Sequence, residues 1–474
     1  MIRRLVVIAG LVVAPAPLVA QAASSLSAAT KAFVAVDAPV VALTHVKVID
    51  GTGAAPTIDQ TVVIENGRIS AVGPFASVRV PAGARVMELR GATVIPGLVG
   101  LHNHTFYTTS AARRVPSPYS APKLYLASGV TTIRTTGSIN PYTEVNVKAQ
   151  IERGDVPGPR MHISGPYITG PDQLVERVHV TTPEEARRVV EYWAEEGATW
   201  FKVYAGISRR ELGAVIEAAH KKGVKVTGHL CSVTYREAVA LGIDGLEHGY
   251  TANSEWDPNK KPDECPSTLR QSLLGLDIAS APVQATIRDI VAHNVPMTST
   301  LSVSEAGLPN RPPLEQRTLD AMIPAVREEY LTNRARASES SNGAASLTIF
   351  KKSMEFERAF VKAGGLLAAG VDPTGNGGAL PGYGDQRNFE LLVEAGFTPV
   401  EAVQIMSANG AKVLGQFDRL GSVTAGKIAD LVVIQGDPAQ TPADIRKVTI
   451  VFKDGVGYDS AKLIEAVKAT VGQR

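Results

Sequence analysis

Apolar runs alternate with amphipathic segments through the middle of the chain. Residues 183–196 read as a helix with an N-cap threonine before them and a glycine after them, whereas the β-branched runs 129–135 and 199–204 predict strands. Strands that alternate with helices indicate a parallel sheet. Eight such strands can be counted from the run that ends at His102, so the pattern predicts an α/β fold, a (β/α)8 TIM barrel.

β-rich segments flank the predicted barrel on both sides. The expected strands are 41–49, 61–65, 68–72, 78–80 and 85–89 before it, and 421–425, 430–434 and 448–453 after it. Because the two ends of a barrel lie close together, we expect these segments to form one small composite β-sandwich. The predicted organisation is a signal peptide at 1–22, the N-terminal part of the sandwich at 36–97, the barrel at 98–414 and the C-terminal part of the sandwich at 415–474.

Bulk composition narrows the class of protein. The 474 residues suffice for a barrel of about 250 residues and a second unit. A net charge of +2 without a long run of one sign argues against a nucleic-acid partner. Arg3 and Arg4 precede a short apolar run, 5–13, and the small-residue site 20–22, a pattern typical of a secretory signal peptide. We therefore expect a periplasmic or secreted protein without membrane contact after cleavage.

Polar side chains stand where the predicted barrel strands end. In a strand, His102 and His104 point to one face and Asn103 points to the other. The other polar residues at strand ends are Lys202, His229, His248 and Asp372. Side chains at the carboxyl ends of barrel strands converge, and unpaired buried charges are costly, so a metal site explains the set best. The remaining histidines do not fit this pattern, and we expect structural roles for His45, His162, His179, His220 and His293.

Taken together, the motifs resemble the amidohydrolase superfamily. The matching pieces are Pro96-Gly97-Leu98 before His102-Asn103-His104, Phe201-Lys202-Val203-Tyr204, Gly228-His229, Glu247-His248-Gly249, Gly370-Val371-Asp372 and the tail segment 421–432. Within the superfamily the chain is most similar to binuclear-metal members, namely Xaa-Pro dipeptidases, carboxypeptidase-like enzymes and hydrolases of N-acyl amino acids.

The resemblance implies a two-metal hydrolase, with zinc as the expected metal. The implied ligands are His102, His104 and Asp372 for one ion, His229 and His248 for the other, and a CO2-derived carbamate on Lys202 between them. A metal-bridging hydroxide would attack a carboxamide carbon, and Asp372 would serve as general base and then as general acid. The expected partner is a small amide or peptide substrate, and homo-oligomerisation is left open.

Three alternatives differ in chemistry. Mononuclear deaminases of the superfamily place a glutamate three residues after the strand-five histidine, but Ser232 stands at that position here. A lactonase would share the metal site and act on an ester instead of an amide. A metal-free binding or scaffolding relative is disfavoured because all the ligand positions are filled. The loop 165–170 also lacks the Gly-Gly-His expected in the peptidase-like subgroup.

Tyr204 is the candidate substrate-binding residue. It lies two residues beyond Lys202 and therefore on the same face of the strand. Its phenol could bind a terminal carboxylate of the substrate, or it could simply contact a loop. Rival carboxylate anchors in or near the same loops are Arg113, Arg114, Arg134 and Arg177.

The only two cysteines, Cys231 and Cys265, fall in adjacent loops of the predicted barrel. Export permits a disulfide, so we predict that these two are bonded and hold the second loop over the site.

Overall fold

The computed structural model describes residues 25–171, 176–374 and 377–473. The predicted signal peptide, 1–22, lies outside the described residues. Across the ranges that are described, no helix combines the length and the apolar character needed to cross a membrane.

Strands and helices alternate as the sequence predicts, which confirms the mixed α/β class. The strands are β1 (Val34–Val36), β2 (Val40–Val48), β3 (Thr57–Glu65), β4 (Arg68–Pro74), β5 (Arg85–Glu88), β6 (Ala92–Pro96), β7 (Leu98–Asn103), β8 (Phe106–Thr108), β9 (Arg114–Pro116), β10 (Val130–Thr135), β11 (Arg160–His162), β12 (Tyr167–Thr169), β13 (Val178–His179), β14 (Trp200–Val203), β15 (Lys225–Gly228), β16 (Gly245–Glu247), β17 (Met297–Ser299), β18 (Leu367–Ala369), β19 (Leu431–Gln435), β20 (Val448–Lys453) and β21 (Val456–Asp459). The helices are α1 (Ala28–Lys31), α2 (Ser120–Ala127), α3 (Pro141–Arg153), α4 (Pro183–Glu195), α5 (Arg209–Lys221), α6 (Tyr235–Ala240), α7 (Leu269–Gly275), α8 (Ala281–Ala292), α9 (Leu301–Glu305), α10 (Gln316–Ala321), α11 (Pro324–Ser338), α12 (Gly343–Lys362), α13 (Tyr383–Glu394), α14 (Pro399–Gln404), α15 (Gly410–Val413) and α16 (Ser460–Glu465).

The helix boundaries follow local capping chemistry. At the start of α4 the Thr182 hydroxyl accepts a hydrogen bond from the Glu185 N–H at 3.2 Å, and the Glu185 carboxylate accepts one from the Thr182 N–H in return. This reciprocal capping satisfies donors that the first helical turn leaves unpaired. Gly197, with a φ of +94°, follows the helix in the left-handed region, as the sequence predicts.

The strands that carry the candidate site are parallel and fall into two sheets. One sheet has the order β11-β10-β7, and the other runs β13-β12-β14-β15-β16-β17-β18. Parallel pairing aligns the carboxyl ends of neighbouring strands at one edge. The pairs Lys202 with Thr227 and Val203 with Gly228, between β14 and β15, set the register that brings Lys202 level with the residues before His229.

Strands from both ends of the described chain join one further sheet. Its order is β1-β21-β20-β19-β6-β2-β3-β4, with β5 also paired to β2. The central seam is the antiparallel pairing of β6 with β19, in which Val94 lies opposite Val433. Both residues belong to a buried apolar cluster with Val62 and Phe452. The N-terminal and C-terminal strands therefore bury one shared core when they pair.

Two predicted strands are wrong. The segment 78–80 is irregular, because the Val78 N–H closes a turn onto the Pro74 carbonyl at 3.1 Å. The segment 421–425 is irregular too. It begins at Gly421 with a φ of +85°, where a Cβ would lie 2.7 Å from the Cβ of Ala411. Apolar content alone therefore misplaces both segments, since local turns and a close approach decide their conformation.

Glu357, on α12, provides a test of pH-dependent stability away from the candidate site. Its carboxyl group is buried and lies 3.0 Å from the Ser299 hydroxyl, and burial raises its pKa to about 8. The folded state thus holds a proton that the unfolded state releases above about pH 4.5, so stability falls as the pH rises from there to about 8. We expect Glu357→Gln to raise the free energy of unfolding at pH 8, relative to wild type, by on the order of 1–2 kcal/mol, with a much smaller gain at pH 5.

Denaturant unfolding at the two pH values measures this effect. Glu355→Gln, an exposed position on the same helix, is the matched control and should change neither value. An equal gain for Glu357→Gln at pH 5 and pH 8 would contradict the assignment.

Candidate metal centre

The predicted site residues meet around one cavity of about 280 Å3. Its lining includes His102, Lys202, Tyr204, His229, His248 and Asp372. His102 stands in β7 and Lys202 in β14, whereas His229, His248 and Asp372 follow the ends of β15, β16 and β18. His104, one residue beyond β7, stands beside the cavity against Asp372. The alternation of β7 is as predicted, because Asn103 points away toward Asp385 on α13.

Three of these side chains are close enough to hold one ion. Ligand atoms of His102, His104 and Asp372 all lie within 4.8 Å of one another, and all three residues are buried. One carboxylate oxygen of Asp372 lies 3.3 Å from Nε2 of His104, and the other lies 3.7 Å from Nε2 of His102. These residues are the first of the two ligand sets that the sequence predicts.

His229 and His248 lie beside the first group. Their ring centroids are 4.4 Å apart, and the His248 ring is 4.5 Å from that of His102. Burial lowers the pKa of both His229 and His248 well below the ordinary value. Both imidazoles are therefore neutral at pH 7, which is the form that binds a metal.

The protein orients the first pair of imidazoles through their Nδ1 atoms. Nδ1 of His102 lies 2.8 Å from the Glu247 carboxylate, and Nδ1 of His104 lies 3.0 Å from the Gly137 carbonyl. Both partners are acceptors, so each Nδ1 donates and each Nε2 keeps a lone pair on the side of Asp372. Burial, with the charge of Lys202, lowers the pKa of His102 to about 4.

The side chain of Lys202 gives the clearest indication that the candidate site binds a further chemical group. The residue is completely buried, and among the described residues its Nζ has no hydrogen-bond partner. Burial lowers the pKa of Lys202 to about 8, which increases the fraction of neutral amine. A neutral amine can react with CO2, and the resulting carbamate offers two oxygens to metal ions. The donor set therefore fits divalent metals.

The sequence of the chain matches a known family. The amidohydrolase family matches residues 93–457, which is most of the chain and includes all of the residues above. The chain belongs to the amidohydrolase family. This membership indicates a hydrolase that acts on C–N bonds.

Known proteins similar to this amidohydrolase include one curated relative and several solved structures. The enamidase of Eubacterium barkeri is 30% identical over 93 residues, or 19% of this chain, and the match spans about a quarter (24%) of that protein's length. A candidate prolidase from Bifidobacterium longum is 25% identical, with a TM-score of 0.66 over 90% of this chain and 98% of that one. A Xaa-Pro dipeptidase solved with bound methionine is 20% identical, with a TM-score of 0.66 over 89% and 100% of the two chains.

Backbone geometry at the site of this amidohydrolase is unusual at two candidate ligands. His248 and Asp372 have φ values of +66° and +44°, in the left-handed region that side chains rarely adopt. Each such residue costs on the order of 1–3 kcal/mol and is typical of functional sites. Gly370, two residues earlier, must be glycine, because a Cβ there would lie 2.2 Å from the backbone nitrogen of His102.

Asp372 is ionised despite its burial. Burial alone would raise the pKa of this carboxyl group, but its interactions with the His102 and His104 side chains hold that pKa well below its usual range. A carboxyl group must be ionised to bind a metal ion and also to accept a proton.

Glu247 is a positioning residue whose role the sequence motifs do not reveal. Besides His102, its buried carboxylate binds the Arg134 guanidinium at 2.5 Å and the Thr227 hydroxyl at 2.5 Å. Arg134, predicted as a rival substrate anchor, is thus placed elsewhere. Its side chain is 1% exposed, and it lies 4.5 Å from the Trp200 ring instead of lining the cavity. That prediction is wrong because an acid distant in sequence pairs with the arginine inside the fold.

Aromatic side chains and one arginine also line the cavity. The Arg177 guanidinium lies 3.6 Å from the ring centroid of Tyr204, and Tyr204 meets Tyr167 edge to face at 5.6 Å. The Tyr167 hydroxyl lies 3.3 Å from Nε2 of His104. Tyr167 belongs to the loop 165–170, which lacks the Gly-Gly-His of the peptidase-like subgroup, and no sequence motif singles out this tyrosine.

The predicted disulfide is confirmed. Cys231 and Cys265 are bonded, with their Cα atoms 5.0 Å apart. Because Cys231 comes two residues after His229, the bond ties the loop that carries Cys265 to the segment of this candidate ligand.

Proposed function

We propose that this protein is a secreted, metal-dependent amidohydrolase that cleaves a carboxamide bond in a peptide-like compound or an N-acyl amino acid. The observation that carries the proposal is the buried group of His102, His104 and Asp372, whose ligand atoms lie within 4.8 Å of one another beside a cavity. Family membership supports amide hydrolysis in general.

The proposed centre holds two divalent ions, with zinc as the expected metal. His102, His104 and Asp372 would hold one ion, and His229 and His248 the other, with carboxylated Lys202 between them. Mixed imidazole and carboxylate donors of this kind suit zinc. When bound, such ions polarise a carbonyl group and lower the pKa of water, which permits hydrolysis near neutral pH.

Asp372 is proposed to move the proton. As the oxygen of water adds to the carbonyl carbon, a carboxylate oxygen of Asp372 takes one proton from that water. Asp372 then gives this proton to the amide nitrogen, the C–N bond breaks, and a carboxylic acid and an amine are released. The ionised state of Asp372, maintained by its histidine neighbours, equips it for the first of these steps.

The substrate carboxylate is proposed to lie against Tyr204 and Arg177. The guanidinium and the phenol stand together on one wall of the cavity, and Lys202 and Asp372 also line it. A negative group bound at this wall would position the neighbouring amide bond toward the histidines. Substrates with a free terminal carboxylate are therefore favoured.

The wider organisation is also part of the proposal. We propose that eight of the ten parallel strands, namely β7, β10, β11 and β14 to β18, close into a barrel. This is supported by the Asp372 N–H donating to the His102 carbonyl at 2.7 Å and the Thr199 N–H donating to the Ile163 carbonyl at 2.9 Å. The segments 36–97 and 415–474 would then form the composite domain, and the leader 1–22 would direct export.

Comparison of a dipeptide with its C-terminal amide tests this function. We expect zinc-loaded wild-type protein to cleave the dipeptide about 10-fold to 100-fold more efficiently in kcat/KM, since a hydrogen bond to a charged group is lost with the amide. Tyr204→Phe should lower the ratio of kcat/KM for the dipeptide to kcat/KM for its amide. Tyr192 is an exposed tyrosine on α4, and Tyr192→Phe should leave this ratio unchanged. Equal cleavage of both compounds by wild type would overturn the assignment and favour a lactonase or a broader amidase.

A further inference from the structure

A second, larger cavity lies next to the candidate metal centre. It measures about 590 Å3, and its lining includes Val115, Pro116, Pro118, Tyr119, Thr143 and Thr470. These residues come from β9, the turn before α2, the first turn of α3 and the segment after α16. Neither the sequence motifs nor the proposed chemistry gives this cavity a role.

The two cavities adjoin at Arg114. This side chain lines both of them. On the side of α3, Ile139 lines the first cavity and Thr143, four residues later, lines the second. The Thr143 N–H donates to the Asn140 carbonyl at 3.0 Å, so the two lining positions belong to one continuous turn of backbone.

The arginines at the second cavity already have carboxylate partners. Arg114 pairs with Glu176 at 3.2 Å, and Arg113 pairs with Glu329 at 2.7 Å. Their charges are balanced locally. Hydroxyl side chains and Gln473 contribute to the remaining wall, but most of the surface that it exposes to the cavity is apolar. An apolar occupant is therefore favoured over an anion.

The position of Arg114 relates the second cavity to the carboxylate wall. Glu176, which holds Arg114, directly precedes Arg177 in the chain, and Arg177 lies on the Tyr204 ring. Arg114, Arg177 and Tyr204 all line the first cavity, so both guanidinium groups border the space in which a substrate carboxylate would lie. A substrate carboxylate at Arg177 therefore has its own α-carbon close to the shared wall.

We propose that the second cavity binds a large apolar side chain on the amino acid released by hydrolysis. This inference rests on the proposed function, because it takes the Tyr204 and Arg177 wall as the carboxylate site. The carboxylate and the side chain of an amino acid leave the same carbon, so one can lie at Arg177 while the other extends past Arg114. The preferred products are then phenylalanine, tryptophan or leucine instead of glycine or alanine.

Binding of free amino acids tests the inference without requiring turnover. With zinc-loaded full-length protein, isothermal titration should give a Kd for L-phenylalanine at least about 10-fold lower than for L-alanine, since apolar pockets discriminate on this scale. Thr143→Trp fills the cavity, and we expect it to bring the ratio of the two Kd values close to one. Asn146→Trp, exposed on the same helix, is the matched control and should keep the wild-type ratio.

A second variant distinguishes loss of the cavity from misfolding of the first variant. Thr470→Trp fills the same cavity from the segment after α16 and should lower the ratio in the same way, with thermal unfolding used to verify that each variant is folded. Equal Kd values for the two amino acids in wild type, no binding of either, or an unchanged ratio in both folded variants would overturn the inference. Failure to hydrolyse any amide, with the binding preference intact, would instead contradict the proposed function.

Discussion

Replacing Lys202 by alanine is expected to remove bound metal and activity together. Its Nζ is completely buried and, among the described residues, has no hydrogen-bond partner, and it faces the histidines of the candidate centre. Without a bridging group, the two proposed ions would lose a shared anionic ligand. Since metal ions supply several kcal/mol of transition-state stabilisation, we expect kcat/KM to fall by roughly 10³-fold or more.

Elemental analysis and kinetics on the same preparation check this result. The zinc content should fall from about two ions per chain to one or fewer. Lys222→Ala, at an exposed lysine that pairs with Glu195 on the surface, should leave both quantities unchanged. Fully active Lys202→Ala protein would exclude the bridging role, and wild-type protein that is active with a single ion would exclude the binuclear centre.

Replacing Asp372 by asparagine is expected to separate metal binding from proton transfer. Asparagine keeps an oxygen that a metal can accept as ligand, but its amide cannot take a proton from water. We therefore expect most of the metal to remain and kcat to fall by roughly 10²-fold to 10⁴-fold, the range for loss of a general base.

Asp244→Asn is the control for this variant. Asp244 precedes β16, at the end opposite to His248, and binds His220 at 2.8 Å instead of facing the cavity. Near-normal kcat in Asp372→Asn protein would assign the proton transfer to another group. Complete loss of zinc would show that its main role is as a ligand.

Two elementary rules predict most of the candidate site from the sequence. Side chains alternate along a strand, and the carboxyl ends of parallel strands share one edge. These rules bring His102, Lys202 and Asp372 to one cavity although up to 270 positions separate them, because each lies near the carboxyl end of an apolar strand or shortly beyond it. The placement of the histidines at strand ends can be predicted without knowledge of the intervening loops.

Residues whose roles depend on partners distant in sequence could not be assigned in this way. Arg134 looks like other arginines near strand ends, and only the fold reveals that it pairs with Glu247, 113 positions away. Glu247 directly precedes His248, so alternation predicts that it points away from the candidate metal ligands but not that it reaches His102. Tyr167 was missed because its loop departs from the pattern of the resembling family.

The sheet that joins both ends of the chain has a consequence for synthesis. β6 is complete once Pro96 has been made, but its antiparallel partner β19 begins only at Leu431. At about 5–20 residues per second, translation of the intervening stretch of roughly 330 residues takes on the order of 20–70 s. During that interval the edge of β6 that later pairs with β19 has no partner strand, although β2 can already pair with the other edge, and unpaired edges promote aggregation. We therefore expect the yield of folded protein to depend on how well the cell protects the incomplete chain from aggregation. Truncation after Ala429 should yield insoluble protein.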